Sequence, residues 1–125
     1  MIDHVSVGVS NLGRSAAFYE AVLGAIGMTC LVRRDTTVGF GKRYPEVWLN
    51  QRSGMAPVPE ATGVHICLRA RSEDAVRAFH AAALAHGGSD DGAPGPRDAA
   101  MTTYFGAFVR DPDGNRLEAA TFPAG

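Results

Sequence analysis

The chain has 125 residues, of which 46% are hydrophobic and 20% are charged, a composition typical of an ordinary globular domain. This length allows one domain around one core, because two independent cores would each be too small to be stable. The formal net charge of −1 gives no electrostatic reason to expect a nucleic acid as partner. No apolar run approaches the roughly 20 residues of a transmembrane helix, so no membrane association is expected.

The N-terminus and the cysteines indicate the compartment. The chain opens on Ile2-Asp3-His4, with neither the basic leader nor the apolar core of a signal peptide. Its two cysteines, Cys30 and Cys67, have no zinc or redox spacing and are too few for a disulfide scaffold. We therefore expect a cytoplasmic protein in which both thiols are reduced.

The first half of the chain predicts a strand, a helix and three further strands. Residues 2–9 alternate between valines and small or polar residues, which predicts a strand with His4 on the face opposite the valines. Asn11 or Ser10 then caps a helix that ends near Gly27. Strands are predicted at residues 28–34, 36–41 and 46–51.

The second half predicts the same order of elements. Residues 64–70 alternate again and place His65 on the polar face. Ser72 begins a helix that ends at the Gly87-Gly88 pair, and residues 88–100 are rich in Gly, Pro and Asp, which predicts a mobile loop or a weak edge strand. The last two strands, predicted at 102–110 and 116–122, flank a tight structural turn at 111–115 with Gly114 at positive φ.

The two halves are related by an internal repeat. Placing His4 on His65 gives an offset of 61 residues that continues without gaps. Only two copies fit, so the repeat reads as a duplicated supersecondary module and not as a solenoid. We predict a first module at about 1–51, a linker at about 52–63 and a second module at about 64–122. The most informative aligned pairs are Phe18 with Phe79, Leu23 with Leu84 and Gly27 with Gly88.

The duplication predicts an α+β fold of two βαβββ modules, which form a curved mixed sheet around a cleft and carry their helices on the outer side. His4 and His65 then lie on the cleft face, and Glu118 alternates with apolar neighbours in the last strand. Two imidazoles and a carboxylate suit a three-ligand site for Fe, Mn, Ni or Zn. The alternative is that the histidines are hydrogen-bonded structural residues and Glu118 an ordinary cleft carboxylate.

Both ends of the chain resemble the glyoxalase/bleomycin-resistance/extradiol-dioxygenase (vicinal oxygen chelate, VOC) superfamily. The opening segment is similar in its His4, its Phe18-Tyr19 pair and its Leu23-Gly24 pair, and residues 111–118 match the family's D-P-D-G-N-x-x-E ending. The resemblance implies the glyoxalase/bleomycin resistance/dihydroxybiphenyl dioxygenase fold and a homodimer. It also implies a divalent metal (Ni, Zn, Mn or Fe) bound by the residues at the family's ligand positions, which are His4, His65 and Glu118.

A departure from the family pattern concerns the first module. Glyoxalase I adds a fourth ligand from the last strand of that module, and the equivalent position here is Trp48, which cannot bind a metal. Glu46 lies two residues earlier on the same strand face and is the candidate substitute and general base. The three remaining ligands resemble the pattern of the fosfomycin-modifying thiol transferases.

Two functions follow from the resemblance. In the first, a metal-dependent glyoxalase-type lyase, isomerase or thiol transferase chelates two oxygens of a small substrate, such as a thiol conjugate, with Glu118 and Glu46 as catalytic groups. In the second, a metal-free protein of the bleomycin-resistance type sequesters a small ligand in an aromatic cleft. Either cleft would be lined by the predicted substrate-binding residues, which are Trp48, Arg69, Tyr104, Phe108 and Arg110.

Overall fold

The computed structural model describes residues 1–123 and contains two βαβββ modules, as the repeat predicts. The first module consists of β1 (Val5–Val9), α1 (Leu12–Gly24), β2 (Thr29–Arg33), β3 (Thr37–Gly41) and β4 (Val47–Gln51). The second consists of β5 (Ile66–Arg69), α2 (Glu73–Ala85), β6 (Ser89–Asp98), β7 (Thr103–Arg110) and β8 (Arg116–Thr121). The connecting residues 52–65 form neither helix nor strand.

Each module forms its own four-stranded mixed sheet. The strand orders are β1-β4-β3-β2 and β5-β8-β7-β6. In both sheets the first strand pairs in parallel with the last, and the other pairs are antiparallel. The strands β1 and β5 are therefore both edge strands, and each has one row of backbone groups without a strand partner in its sheet.

The two helices pack against each other and against one face of each sheet. Each begins at the predicted type of cap: the side chain of Asn11 accepts the N–H of Arg14 at 3.0 Å, and that of Ser72 accepts the N–H of Ala75 at 3.1 Å. The apolar faces of helices and strands form a single buried core, in which Phe18 and Phe79 are fully buried. The opposite face of each sheet is left for polar and aromatic side chains. No helix in the described part of the chain is long and apolar enough to cross a membrane.

The structure shifts the start of the first strand and, of the two alternatives predicted for residues 88–100, confirms the edge strand. The first strand begins at Val5, so His4 precedes it, just as His65 precedes β5. The Gly- and Pro-rich segment after α2 is the ten-residue edge strand β6, which pairs with β7 through two register shifts. These irregularities accommodate glycine and proline at the edge of a sheet.

The repeat is displaced by one residue after the helices. Gly27 and Gly87 both adopt a φ of 93°, so they are the structurally equivalent pair, and Gly88 is the counterpart of Met28. The ungapped alignment of Gly27 with Gly88 is therefore wrong by one position. The second module is one residue shorter between its helix and its second strand.

The absence of a side chain at Gly88 is required by close packing. A Cβ atom there would lie 2.5 Å from Cε1 of Phe18 and 2.6 Å from the carbonyl oxygen of Arg110. We expect Gly88→Ala to lower the free energy of unfolding by about 2–3 kcal/mol, measured by urea denaturation. Gly24→Ala is the control, because nothing lies within 4 Å of its added Cβ. Equal stability of the two variants would contradict this packing argument.

The turn between β7 and β8 contains a buried carboxylate. Asp111 is 3% exposed, and burial raises its pKa against the effect of its hydrogen bonds. Its oxygens accept from the hydroxyl of Tyr19 at 2.7 Å, from the N–H of Asp113 at 2.9 Å, and from the N–H and side-chain amide of Asn115, each at 2.8 Å. Four donors thus offset the cost of burying this group.

The same turn joins the two modules. The Asp113 carboxylate accepts both the backbone N–H (3.0 Å) and the hydroxyl of Ser10, and the side chain of Asn115 donates to the carbonyl of Gly8 at 2.9 Å. Gly114 has a φ of 94°, as the sequence predicts. The turn is therefore a structural connector between the end of β1 and the start of β8.

Candidate functional site

The carboxylate of Glu118 is at the centre of a polar cluster on the face of the second sheet that points away from α2. Glu118 is only 3% exposed. Its Oε1 atom lies 3.1 Å from Nε2 of His65, and its Oε2 atom accepts a hydrogen bond from the hydroxyl of Tyr104. Cys67 is the residue of β5 that pairs with Glu118, so its thiol lies on the same face of the sheet. The strand register explains this grouping, because paired positions on neighbouring strands share a face.

Two partners of Glu118 are held in their protonated forms. Burial, and then the nearby Glu118 carboxylate, raises the pKa of the Cys67 thiol to about 12. Burial and the hydrogen bond to Glu118 raise the pKa of Tyr104 to about 12. Both groups therefore remain protonated at neutral pH, and the Tyr104 hydroxyl donates to Glu118.

Aromatic rings and arginines surround this cluster. The rings of Tyr104 and Phe122 stack with their centroids 5.0 Å apart and their planes at 23°. The Arg69 guanidinium carbon lies 4.7 Å from the Phe122 centroid, and that of Arg97 lies 5.5 Å from the Phe108 centroid. This face therefore combines flat apolar surfaces with cations, an arrangement that suits planar or anionic ligands.

Arg69 and Arg97 have no carboxylate partner in the part of the chain that the structure describes. Within residues 1–123, neither Arg69 nor Arg97 forms an ion pair with a carboxylate, whereas several other arginines do. Arg97 donates to the carbonyl of Ala93, but its Nε atom is buried without a hydrogen-bond acceptor. A buried donor without an acceptor is costly, so Arg97 has hydrogen-bonding capacity for a ligand.

The predicted residues of the first module lie on the first sheet. His4 is half-exposed, and its Nδ1 atom lies 2.7 Å from a carboxylate oxygen of Asp3. Glu46 precedes β4, beside the start of β1, and its carboxylate accepts the backbone N–H of Lys42 at 3.2 Å. Trp48 is half-buried on β4, at the position that pairs with Ser6. The candidate residues of the first module therefore lie on, or next to, the paired strands β1 and β4.

The structure brings only part of the predicted site together. His65, Glu118 and Tyr104 are in direct contact, and Arg69 and Phe108 lie on the same face. Within the described residues, no group of three or more His, Cys, Asp or Glu side chains is close enough to hold a metal ion. The set of His4, His65 and Glu118 is therefore not assembled within one copy of the chain.

Arg110 has structural partners. Its guanidinium donates to Glu60 at 3.1 Å and to Asp91 at 3.0 Å, and Asp91 also pairs with Arg116 at 3.7 Å. These contacts neutralise Arg110 and connect the linker to the second sheet. The charge of Arg110 is therefore less accessible to a ligand than the charges of Arg69 and Arg97.

Sequence reasoning missed three residues of this face. Arg97 lies in the segment whose composition predicts a loop or weak strand, so its direction was not predictable. Phe122 follows the last residue of β8, and only its alternation with Glu118 and Ala120 signals its face. Cys67 alternates with His65 on β5, and its sequence context predicts only a reduced thiol.

Comparison with protein families gives a match over nearly the whole chain. The family model described as Glyoxalase/Bleomycin resistance protein/Dioxygenase superfamily matches residues 1–119. Among curated proteins no match is found.

Solved structures with the same fold include a glyoxalase/bleomycin resistance protein from Albidiferax ferrireducens T118. It is 34% identical, has a TM-score of 0.83, and the match covers 95% of this chain and 97% of that one. A glyoxalase-related enzyme from Fulvimarina pelagi is 19% identical with a TM-score of 0.72, covering 100% of this chain and 92% of that one. An E144Q glyoxalase I mutant from Zea mays is 22% identical with a TM-score of 0.74, covering 94% of this chain and 45% of that one. The chain therefore belongs to the glyoxalase/bleomycin resistance protein/dioxygenase superfamily.

Proposed function

We propose that this protein is a metal-dependent enzyme of the glyoxalase type that acts on a small oxygen-rich substrate. The observation that carries the proposal is the buried Glu118 carboxylate in contact with the imidazole of His65, whose side chain is 46% exposed. Burying a carboxylate is costly unless hydrogen bonds or a positive charge offset it, and no lysine or arginine within residues 1–123 pairs with Glu118. A divalent cation beside His65 would supply that charge.

The donor atoms suit such an ion. An imidazole nitrogen and a carboxylate oxygen are ligands that Ni, Zn, Mn and Fe accept, and metal-binding carboxylates are commonly oriented by further hydrogen bonds. Tyr104 donates such a bond to Glu118. A bound ion would act as a Lewis acid toward two adjacent substrate oxygens. The third ligand we propose is His4 of a second copy, in a homodimer that pairs the first sheet of one copy with the second sheet of the other.

The arrangement of the modules supports a shared site. The helices of the two modules pack against each other, and the sheet faces opposite to them carry His4 on one module and the His65–Glu118 pair on the other. The edge strands β1 and β5 also have unpaired backbone groups that a second copy can approach. In this arrangement Glu46, our candidate general base, comes from the same copy as His4.

The substrate side of the proposal rests on the cations and rings around Glu118. Arg69 and Arg97 would attract negatively charged oxygens, and the stacked rings of Tyr104 and Phe122 would exclude water from one side of the substrate. The tyrosine hydroxyl and the substrate oxygens would then be close to the same carboxylate. A hemithioacetal formed from an α-oxoaldehyde has a hydroxyl and a carbonyl oxygen on adjacent carbons, and these two oxygens fit this description.

Metal content tests the proposal directly. We expect about one Ni, Zn, Mn or Fe ion per chain in wild-type protein by elemental mass spectrometry, and a loss of at least about tenfold in affinity in Glu118→Ala. Glu20→Ala is the matched control, since Glu20 is an exposed carboxylate on α1 that pairs with Arg33 at 3.5 Å. Wild-type protein that binds none of these ions after incubation would refute the metal-dependent function. Loaded protein is then screened with hemithioacetals and for thiol transfer.

The second candidate is a metal-free ligand-sequestering protein of the bleomycin-resistance type. The stacked Tyr104 and Phe122 rings, with a further ring at Phe108, favour it because they provide a binding surface that needs no metal. This function predicts ligand-induced thermal stabilisation that is unchanged by chelators and by Glu118→Ala. Stabilisation that requires the metal supports the first candidate instead.

A further inference from the structure

A separate basic pocket lies where the two modules meet. It has a volume of about 350 Å³ and is lined by the cationic side chains of Lys42, Arg69 and Arg71, together with Thr121 and Phe122, and by no acidic residue. Lys42 is the only lysine of the chain and follows β3 in the first module. The two arginines flank the end of β5 in the second module. Residues from both modules thus bring three positive charges to one concavity.

Within the described residues these charges have no counter-ion. Within residues 1–123, none of the three cations forms an ion pair. The acidic residues that follow Arg71, Glu73 and Asp74, are both paired with Arg77, at 3.3 Å and 3.2 Å. The side chains of Arg71 and Lys42 also converge. A Cβ atom added to Gly27 would lie 3.6 Å from a terminal nitrogen of Arg71 and 3.8 Å from Cε of Lys42. Like charges this close repel each other, so a bound anion would stabilise the arrangement.

We propose that this basic pocket binds the phosphate group of a ligand. A phosphate accepts several hydrogen bonds at once and carries up to two charges, which matches two guanidinium groups and an ammonium better than a single carboxylate does. The hydroxyl of Thr121 adds a neutral donor at the wall of the pocket. The pocket contains neither His65 nor Glu118, and it adjoins the Glu118 cluster through Arg69 and Phe122.

The position of Phe122 indicates where the rest of the ligand lies. Phe122 and Thr121 line the basic pocket and also an adjacent cavity of about 440 Å³ that contains Tyr104. A phosphate held by Lys42 and Arg71 therefore places its substituent on the Phe122 ring, in the direction of Tyr104. This continuation toward the Tyr104–Glu118 contact rests on the proposed function, whereas phosphate binding itself does not.

Titration with inorganic phosphate, followed by NMR or calorimetry at low salt, tests the pocket. The double variant Lys42→Gln/Arg71→Gln should bind phosphate at least about tenfold more weakly than wild type. Arg43→Gln/Arg52→Gln removes the same charge from exposed positions outside the pocket and should change affinity by less than about twofold. No binding by wild type, or an equal loss in both double variants, would overturn the proposal.

Phenyl phosphate tests the continuation across Phe122. If the ligand extends over that ring, phenyl phosphate binds more tightly than inorganic phosphate, and Phe122→Leu removes the difference while inorganic phosphate still binds. Equal affinities in wild type would mean a site for free phosphate and would refute the extension. His65→Ala separates the two proposals, because it should abolish metal binding and leave phosphate binding unchanged. Lys42→Gln/Arg71→Gln should weaken phosphate binding and leave metal binding unchanged.

Discussion

Replacing Asp111 with alanine is expected to lower the free energy of unfolding by about 3–5 kcal/mol. The carboxylate is 3% exposed and accepts four hydrogen bonds from Tyr19, Asp113 and Asn115. Alanine leaves these donors without an acceptor in a buried space, which is the costly kind of substitution. Since Tyr19 belongs to α1 and Asp111 follows β7, the change also weakens the contact between modules.

Urea denaturation followed by circular dichroism measures the loss. Tyr19→Phe removes only one of the four donors and should cost about 1–2 kcal/mol. Asp35→Ala, at an exposed position between β2 and β3, should cost less than about 0.5 kcal/mol and controls for the loss of a carboxylate. If Asp111→Ala were as stable as Asp35→Ala, the turn would not be the connector between modules that its hydrogen bonds indicate.

The general fold was predictable from the sequence because its signals are local and repeated. Alternation of valines identifies β1, the caps at Asn11 and Ser72 identify the helices, and the 61-residue offset relates the modules. The strand β6 was less predictable, since its glycines and prolines weaken the strand signal. This strand forms because its backbone pairs with β7. The pairing depends on the tertiary structure, so local sequence preferences do not reveal it.

The candidate site was predictable only within each module. Strand periodicity places His65 and Glu118 on one face, and the parallel pairing of β5 with β8 brings them together. The relation of His4 to them depends on how the modules pack, which the helices and the Asp111 turn determine through side chains far apart in sequence. Alternation along a strand predicts on which face of its own sheet a residue lies. It does not predict which other sheet packs against that face.

The separation of His4 from the His65–Glu118 pair leads to a prediction that compares two heterodimers. Both carry the same two substitutions, either on different chains or on one chain, and their expected metal contents are opposite. If the metal site is shared between copies, a His4→Ala homodimer contains no complete site, and neither does a His65→Ala homodimer. A heterodimer of these two variants contains one complete site, because His4 of the second variant meets His65 of the first. It should therefore bind about half as much metal per chain as wild type.

Co-expression of the two variants with different affinity tags and tandem purification gives this heterodimer, and elemental mass spectrometry measures its metal content. The control is a heterodimer of wild-type chain with His4→Ala/His65→Ala. It carries the same two substitutions, yet a shared site predicts no complete sites there, because each site loses one histidine. A site within one chain predicts the reverse: about half of the wild-type metal in the control and none in the trans heterodimer. The two results cannot both occur, so this pair of measurements decides whether the metal ligands proposed for this protein come from one copy or from two.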